Sequence, residues 1–253
     1  MPYVCNRFNN NISFIDLESN KQVARIAVVR EPVAAAMTRD GEYLFVANHL
    51  PTGAADADYV AATVSVIHTA SREKVDDILL HNGSTGLRGI CISPDGEHGY
   101  VTHILSRYPL PTTQLERGWM NTNALSILDV AERRLLNTVL LDDVDSGAAN
   151  PWDVACTADG KYICVSHAGS HEGSVIDRAR LHEKLARAAA GDRMSDASSS
   201  AADVPNDLSF LVDLRRRLKL AGNGPRGITA VGTKVYTAEY FTDTIGVVDI
   251  DLR

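Results

Sequence analysis

Three features of the amino-acid sequence predict an all-β fold. First, Asp40-Gly41-Glu42-Tyr43-Leu44-Phe45-Val46-Ala47-Asn48 places a turn dipeptide before a β-branched and aromatic run. Thr63-Val64-Ser65-Val66-Ile67-His68 answers it with apolar residues at alternating positions. Second, the pair recurs along the chain. The first run returns as Tyr3-Val4-Cys5-Asn6, Gly99-Tyr100-Val101-Thr102-His103, Tyr162-Ile163-Cys164-Val165-Ser166-His167 and Val235-Tyr236-Thr237-Ala238-Glu239. The second returns as Ile12 to Leu17, Leu125 to Val130, Leu208 to Asp213 and Ile245 to Ile250. Third, a short strand precedes each turn and another follows each pair. The unit is a four-stranded antiparallel meander, and its radial repetition is a β-propeller with about five repeats visible.

The strands ahead of the turns are Val33 to Thr38, Arg88 to Ser93, Trp152 to Thr157 and Arg226 to Val231. Small residues crowd them (Ala34, Ala35, Ala36, Gly89, Gly227), as the narrow hub of a radial array requires. Arg39-Asp40-Gly41, Pro94-Asp95-Gly96 and Ala158-Asp159-Gly160 supply the turns, because Gly accepts positive φ and Asp bonds the turn backbone. The fourth strands are Val23 to Val29, Val75 to Leu80, Leu135 to Leu141 and Arg217 to Leu220.

The turn aspartates lie farther apart than a minimal blade of about 40 to 45 residues allows. Insertions are therefore expected between second and third strands, at 49–62, 104–123 and 168–206, all on one face. Within the last, Ser174 to Ala190 has helical spacing with Ser174 as the cap, and the polar run Asp192 to Asp203 is expected to be mobile. Residues 1–253 read as one propeller domain carrying that inserted segment. The first repeat lacks its inner strand and the last its outer strand, so the chain is expected to be part of a larger ring or a longer chain.

A formal net charge of −7 disfavours nucleic acid and anionic membrane surfaces as partners. No apolar run is long enough for a membrane span, and no signal peptide precedes the first strand. Cys5, Cys91, Cys156 and Cys164 lie in strand-like runs without metal-ligand spacing and read as small buried hydrophobes. Cys156 and Cys164 flank one turn, so their register decides whether they can pair.

Tyr3-Val4-Cys5-Asn6, Leu44-Phe45-Val46-Ala47-Asn48 and the Ile15-Asp16-Leu17 and Val248-Asp249-Ile250 strands resemble the YVTN-type repeat family of surface and periplasmic β-propellers. That family is similar in fold to the haem-carrying propeller of cytochrome-type nitrite reductases. The histidine-bearing insertions also look like propellers fused to dihaem peroxidase-like modules. The resemblance implies a periplasmic or cell-surface location. It also implies that any haem belongs to a neighbouring domain, since the chain has no CxxCH motif.

Aligning the repeats places Asn6, Asn48, His103, His167 and Glu239 at one position, the end of the second strand, with Arg7, His49, Tyr240 and His171 close by. Imidazoles with a carboxylate suit a transition metal. The same groups serve equally as loop anchors or as a polar ligand pocket. His49, His103, His167 and His171 are the candidate metal or haem-facing residues. Arg88 and Arg226 occupy matching places at the start of inner strands, where they read either as an anion-binding pair or as partners of acids such as Asp153. With Asn48, Glu239 and Tyr240 they form the candidate ligand-binding set. Trp119, Tyr108 and Met120 form a contact patch or pack an insertion down. No catalytic signature is present. The expected function is a non-catalytic, extracytoplasmic binding or scaffolding module that engages a protein partner, a fused domain or a small ligand through its insertion face. The alternative is a redox-associated propeller.

Overall fold

The structure is a computed structural model that describes residues 1–106 and 120–251. Five antiparallel sheets follow one another along the chain. The first contains β1 (Tyr3–Asn6), β2 (Asn11–Asp16) and β3 (Lys21–Ala27), and the second β4 (Pro32–Met37), β5 (Tyr43–Asn48), β6 (Thr63–His68) and β7 (Glu73–Leu79). In the third, β8 (Ser84–Thr85) and β9 (Ile90–Ile92) both pair with β10 (His98–Ser106), which continues to β11 (Asn121–Asp129) and β12 (Arg134–Leu140). The fourth is β13 (Pro151–Cys156), β14 (Tyr162–His167), β15 (Glu172–Asp177) and β16 (Arg215–Lys219). The fifth is β17 (Pro225–Val231), β18 (Lys234–Glu239) and β19 (Thr244–Asp249). The inner strands β4, β9, β13 and β17 touch in succession, so the sheets are propeller blades arranged around a hub.

Period-2 alternation directs successive side chains to the two neighbouring blades. On β10, Tyr100 joins the core shared with the fourth blade, alongside Ile163 and Val165, while Val101 faces Phe45 and Val66 of the second. Ile12 and Phe14 meet Leu44 and Val46 between the first two blades. The turns of the second, third and fourth blades close the same way. Thr38, Ser93 and Thr157 donate their hydroxyls to Asp40, Asp95 and Asp159, and Gly41, Gly96 and Gly160 follow with φ of +75°, +80° and +72°.

The structure corrects the last insertion. Residues 172–177 form the third strand β15, and Ser174 is paired within it rather than capping a helix. The helix α1 is Arg178–Ala189, capped by Asp177 Oδ1 accepting from Arg180 N at 3.0 Å. Leu208 to Asp213, expected as a strand, is a turn-rich segment that buries Leu208, Phe210 and Leu211. The insertion thus joins the third and fourth strands, and α1 lies on the face of the Asp-Gly turns. Within the run 192–203, Ser195 bonds Asp207 and both Ser199 and Ser200 bond Asp203.

Register sets Cys156 opposite Ile163 and Ala155 opposite Cys164, so the two cysteines are not paired partners, and all four thiols are free. Cys156 Sγ instead lies 3.8 Å from Cys91 Sγ in the next blade. Among the described residues no helix is long and apolar enough to cross a membrane.

Candidate functional site

The strand-end position is filled by hydrogen bonds inside each blade. Asn6 Nδ2 donates to Ser13 Oγ (2.7 Å), which donates to Gln22. Asn48 Nδ2 donates to Ser65 Oγ (3.0 Å), which donates to Asp77 Oδ1. His103 Nε2 lies 2.8 Å from Ser126 Oγ, and its Nδ1 lies 3.1 Å from the Ile104 carbonyl. A carbonyl only accepts, so Nδ1 carries the proton. Nε2 then accepts from Ser126, whose oxygen in turn accepts from Thr138. His167 Nε2 is 2.7 Å from Ser174 Oγ. The Ser of the third strand is thus a repeat position of its own: Ser13, Ser65, Ser126 and Ser174.

The fifth blade substitutes a different pair. Gly246 stands where the serine would be, and a Cβ there would overlap Glu239 and Thr237. The Glu239 carboxylate fills the space and accepts from Thr244 Oγ1 at 2.7 Å.

Burial holds His103 down at about 4 and His167 at about 3, so both imidazoles are neutral at neutral pH. His49 is also depressed, first by burial and then by the Arg88 and Arg7 charges, and its Nδ1 donates to the Leu87 carbonyl at 2.7 Å. His171 Nδ1 accepts from Gly224 N at 3.0 Å, tying the β14–β15 turn to the loop before β17. The structure does not bring His49, His103, His167 and His171 into one ligand set. Among the described residues the three-ligand grouping is Asp95, Glu97 and His98, on the opposite face, where Arg178 already pairs with Asp95. Burial opposes ionisation of Asp95, but Ser93, the Glu97 amide and Arg178 outweigh it and hold the carboxyl at about 2.

The start of the inner strand is a second repeat position on the face where the second strands end. It reads Val33, Arg88, Trp152 and Arg226 through successive blades. The guanidinium carbon of Arg88 lies 4.1 Å from the Trp152 ring centroid and that of Arg226 lies 4.5 Å from it. Arg226 also lies 3.6 Å from the Tyr240 ring. Sequence reasoning found both arginines and missed the indole that joins them, although Trp152 holds their own repeat position. Asp153 is not their ion-pair partner. It accepts from Val154 N (2.9 Å) and Ile228 N (3.2 Å), and burial raises its pKa. Gly89 leaves the space Asp153 occupies, as a Cβ there would fall 2.7 Å from its Cα.

Around this mouth stand exposed aromatics: Phe8 (83%), Tyr240 (57%) and Phe241 (65%). Met120 is exposed, whereas Trp119 and Tyr108 lie outside the described residues.

The opposite face carries a cluster centred on α1. His182 Nε2 is 2.7 Å from the Tyr100 hydroxyl, Arg178 Nε donates to the same hydroxyl at 3.0 Å, and the His98 and His182 ring centroids lie 3.9 Å apart with the rings tilted by 38°. These histidines pack the insertion onto the third blade.

The chain matches no protein-family model. It is 26% identical over 188 residues to the hydrazine synthase subunit beta of Kuenenia stuttgartiensis, a match covering 74% of this chain and 46% of that protein. The chain therefore spans less than half the length of this curated relative. In three dimensions it resembles Kuenenia stuttgartiensis hydrazine synthase with a TM-score of 0.73 at 20% identity, over 99% of this chain and 80% of that one. A functionally unknown protein from Desulfotomaculum acetoxidans superposes with a TM-score of 0.63 at 13% identity, over 98% and 61% of the two chains. The fold is a β-propeller. The likeness to YVTN-type repeats rests on the strand residues alone, and no family model supports it.

Proposed function

We propose that this chain is a non-catalytic propeller module that docks a protein partner through the face on which its second strands end. The carrying observation is the composition of that face. Phe8, Tyr240 and Phe241 stand exposed around a mouth that also carries Arg7, Arg88 and Arg226. Aromatic side chains and arginines are the residue types that dominate interface energetics, and exposed apolar groups clustered on one face mark interaction surfaces. The likeness to a protein named as the beta subunit of an enzyme supports the same reading, with this propeller serving as one component of a larger enzyme assembly.

Size-exclusion chromatography of the tagged full chain, purified from its own host, tests the proposal. The wild type is expected in an assembly larger than its own mass. The triple variant Phe8→Ser, Tyr240→Ser, Phe241→Ser is expected to elute alone with an unchanged melting temperature. Leu17→Ser, at an exposed site on the turn face, is expected to leave the assembly intact. A wild type eluting at its own mass, or dissociation by the Leu17 variant instead, would overturn the reading.

A further inference from the structure

The hub mouth has a chemistry more specific than a docking surface. Arg88, Trp152 and Arg226 belong to three consecutive blades at one repeat position, so the indole stands between the two arginines in ring order. A guanidinium over an aromatic ring is held by the ring quadrupole and keeps its N–H donors free along its edge. Tyr240 and Phe241 add two further rings around Arg226, at 3.6 and 5.9 Å. Gly224, at φ +66°, makes room for this arrangement, because a Cβ there would overlap the Phe241 ring.

Among the described residues neither guanidinium has an ion pair or a side-chain hydrogen bond. The acids around the mouth are committed elsewhere: Asp153 to two backbone amides, Glu239 to Thr244 and Glu31 to Arg7. Two uncompensated cations therefore share one indole in a protein whose net charge is −7. Burial, with the like charges of Arg7 and Arg226, holds the Arg88 guanidinium below its usual range, which marks the crowding.

We propose that Arg88 and Arg226, stacked on Trp152, form a binding seat for a carboxylate group. Each planar guanidinium presents a fork of N–H donors that matches a carboxylate in bidentate fashion, and the bound anion relieves the repulsion between the cations. The rings fix the forks before the ligand arrives and so lower the ordering cost of binding. The carboxylate comes from one of two sources, a free small acid or an acidic side chain of a docked protein. The site stands on its own chemistry and does not require the docking reading.

The chain has two tryptophans, so Trp119→Phe leaves Trp152 as the sole indole and its fluorescence as the readout. Succinate, a blocked tetraglutamate peptide and inorganic phosphate are titrated at constant ionic strength. Saturable quenching by succinate, with a Kd on the order of 1 mM, supports a free acid as ligand. Saturation by the peptide alone supports a protein carboxylate. In either case Arg88→Gln with Arg226→Gln weakens binding at least tenfold while the melting temperature holds, and Arg226→Lys weakens it less. No saturable response to either carboxylate, a response indifferent to the arginines, or tighter binding of phosphate would overturn the proposal. None of these titrations requires a partner, so their failure leaves the docking proposal to its own chromatographic test.

Discussion

Two repeat positions open onto the same end of this propeller and are used in opposite ways. At the end of the second strands, Asn48, His103, His167 and Glu239 are buried and bonded to the third strand of their own blade. At the start of the inner strands, Arg88 and Arg226 rest on Trp152 with their donor edges open. The first set has the residue types of a metal site but bonds across to the third strand of its own blade, with His167 Nδ1 the one ring nitrogen among these described residues that is buried without a hydrogen-bond partner. The second has ordinary surface residue types and carries unspent binding capacity. Whether a polar group is available for a ligand depends on how many of its hydrogen bonds the fold has already filled.

The largest expected effect comes from breaking one of these cross-strand locks. His167→Ala and His103→Ala each leave a buried serine without its imidazole and open a cavity, at a cost of about 2–4 kcal/mol in urea unfolding. Carboxylate binding at the mouth is expected to be unchanged. A neutral His→Ala variant would break the comparison, because it would show that the lock contributes nothing.

Acid should act on the same groups. His103 and His167 are depressed to about 4 and about 3 in the fold, and His182 to about 4, chiefly by burial. The unfolded chain protonates these imidazoles near 6.5, so it binds more protons than the native state below that pH. Their contribution is flat above pH 6.5 and is lost progressively as the pH falls from there to about 4 for His103 and His182 and to about 3 for His167. Each unit of difference is worth about 1.4 kcal/mol. Urea midpoints at pH 7 and pH 5 should differ less for His103→Gln, His167→Gln than for the wild type.

A smaller effect tests whether the fifth blade uses the same device. Gly246→Ser alone forces its side chain onto Glu239 and should cost about 1–3 kcal/mol. Adding Glu239→Asn rebuilds the Asn48–Ser65 arrangement and should restore most of the loss, seen as a favourable coupling in thermal melts. At the smallest end, Arg88→Gln should change stability by no more than about 0.5 kcal/mol. A larger loss would place Arg88 among the structural groups and sharpen the boundary between the two positions.

The blades were legible in the sequence because their signals are local: strand alternation and an Asp-Gly turn. The failure at 172–177 was also local in origin. Leu208-Ser209-Phe210-Leu211-Val212-Asp213 imitates the third-strand pattern, while the true strand carries Gly173 and Ser174 among fewer apolar residues. Only the pairing of β15 with β14 and β16 decides between them. The histidine positions were legible but their roles were not, since these depend on cross-strand register. The recurring serine of the third strand was the available clue. Trp152 was equally available from the repeat alignment that placed Arg88 and Arg226 together.

The central claim is that the strand-end histidines are structural locks and not ligands or titrating groups. Long-range nitrogen–proton correlation spectra of the histidine side chains between pH 5 and 8 test it most directly. The account predicts that His103 and His167 stay neutral throughout, with His103 fixed as the Nδ1–H tautomer by the Ile104 carbonyl. A titration midpoint near 6.5 for either ring, or tautomer averaging at His103, would contradict it.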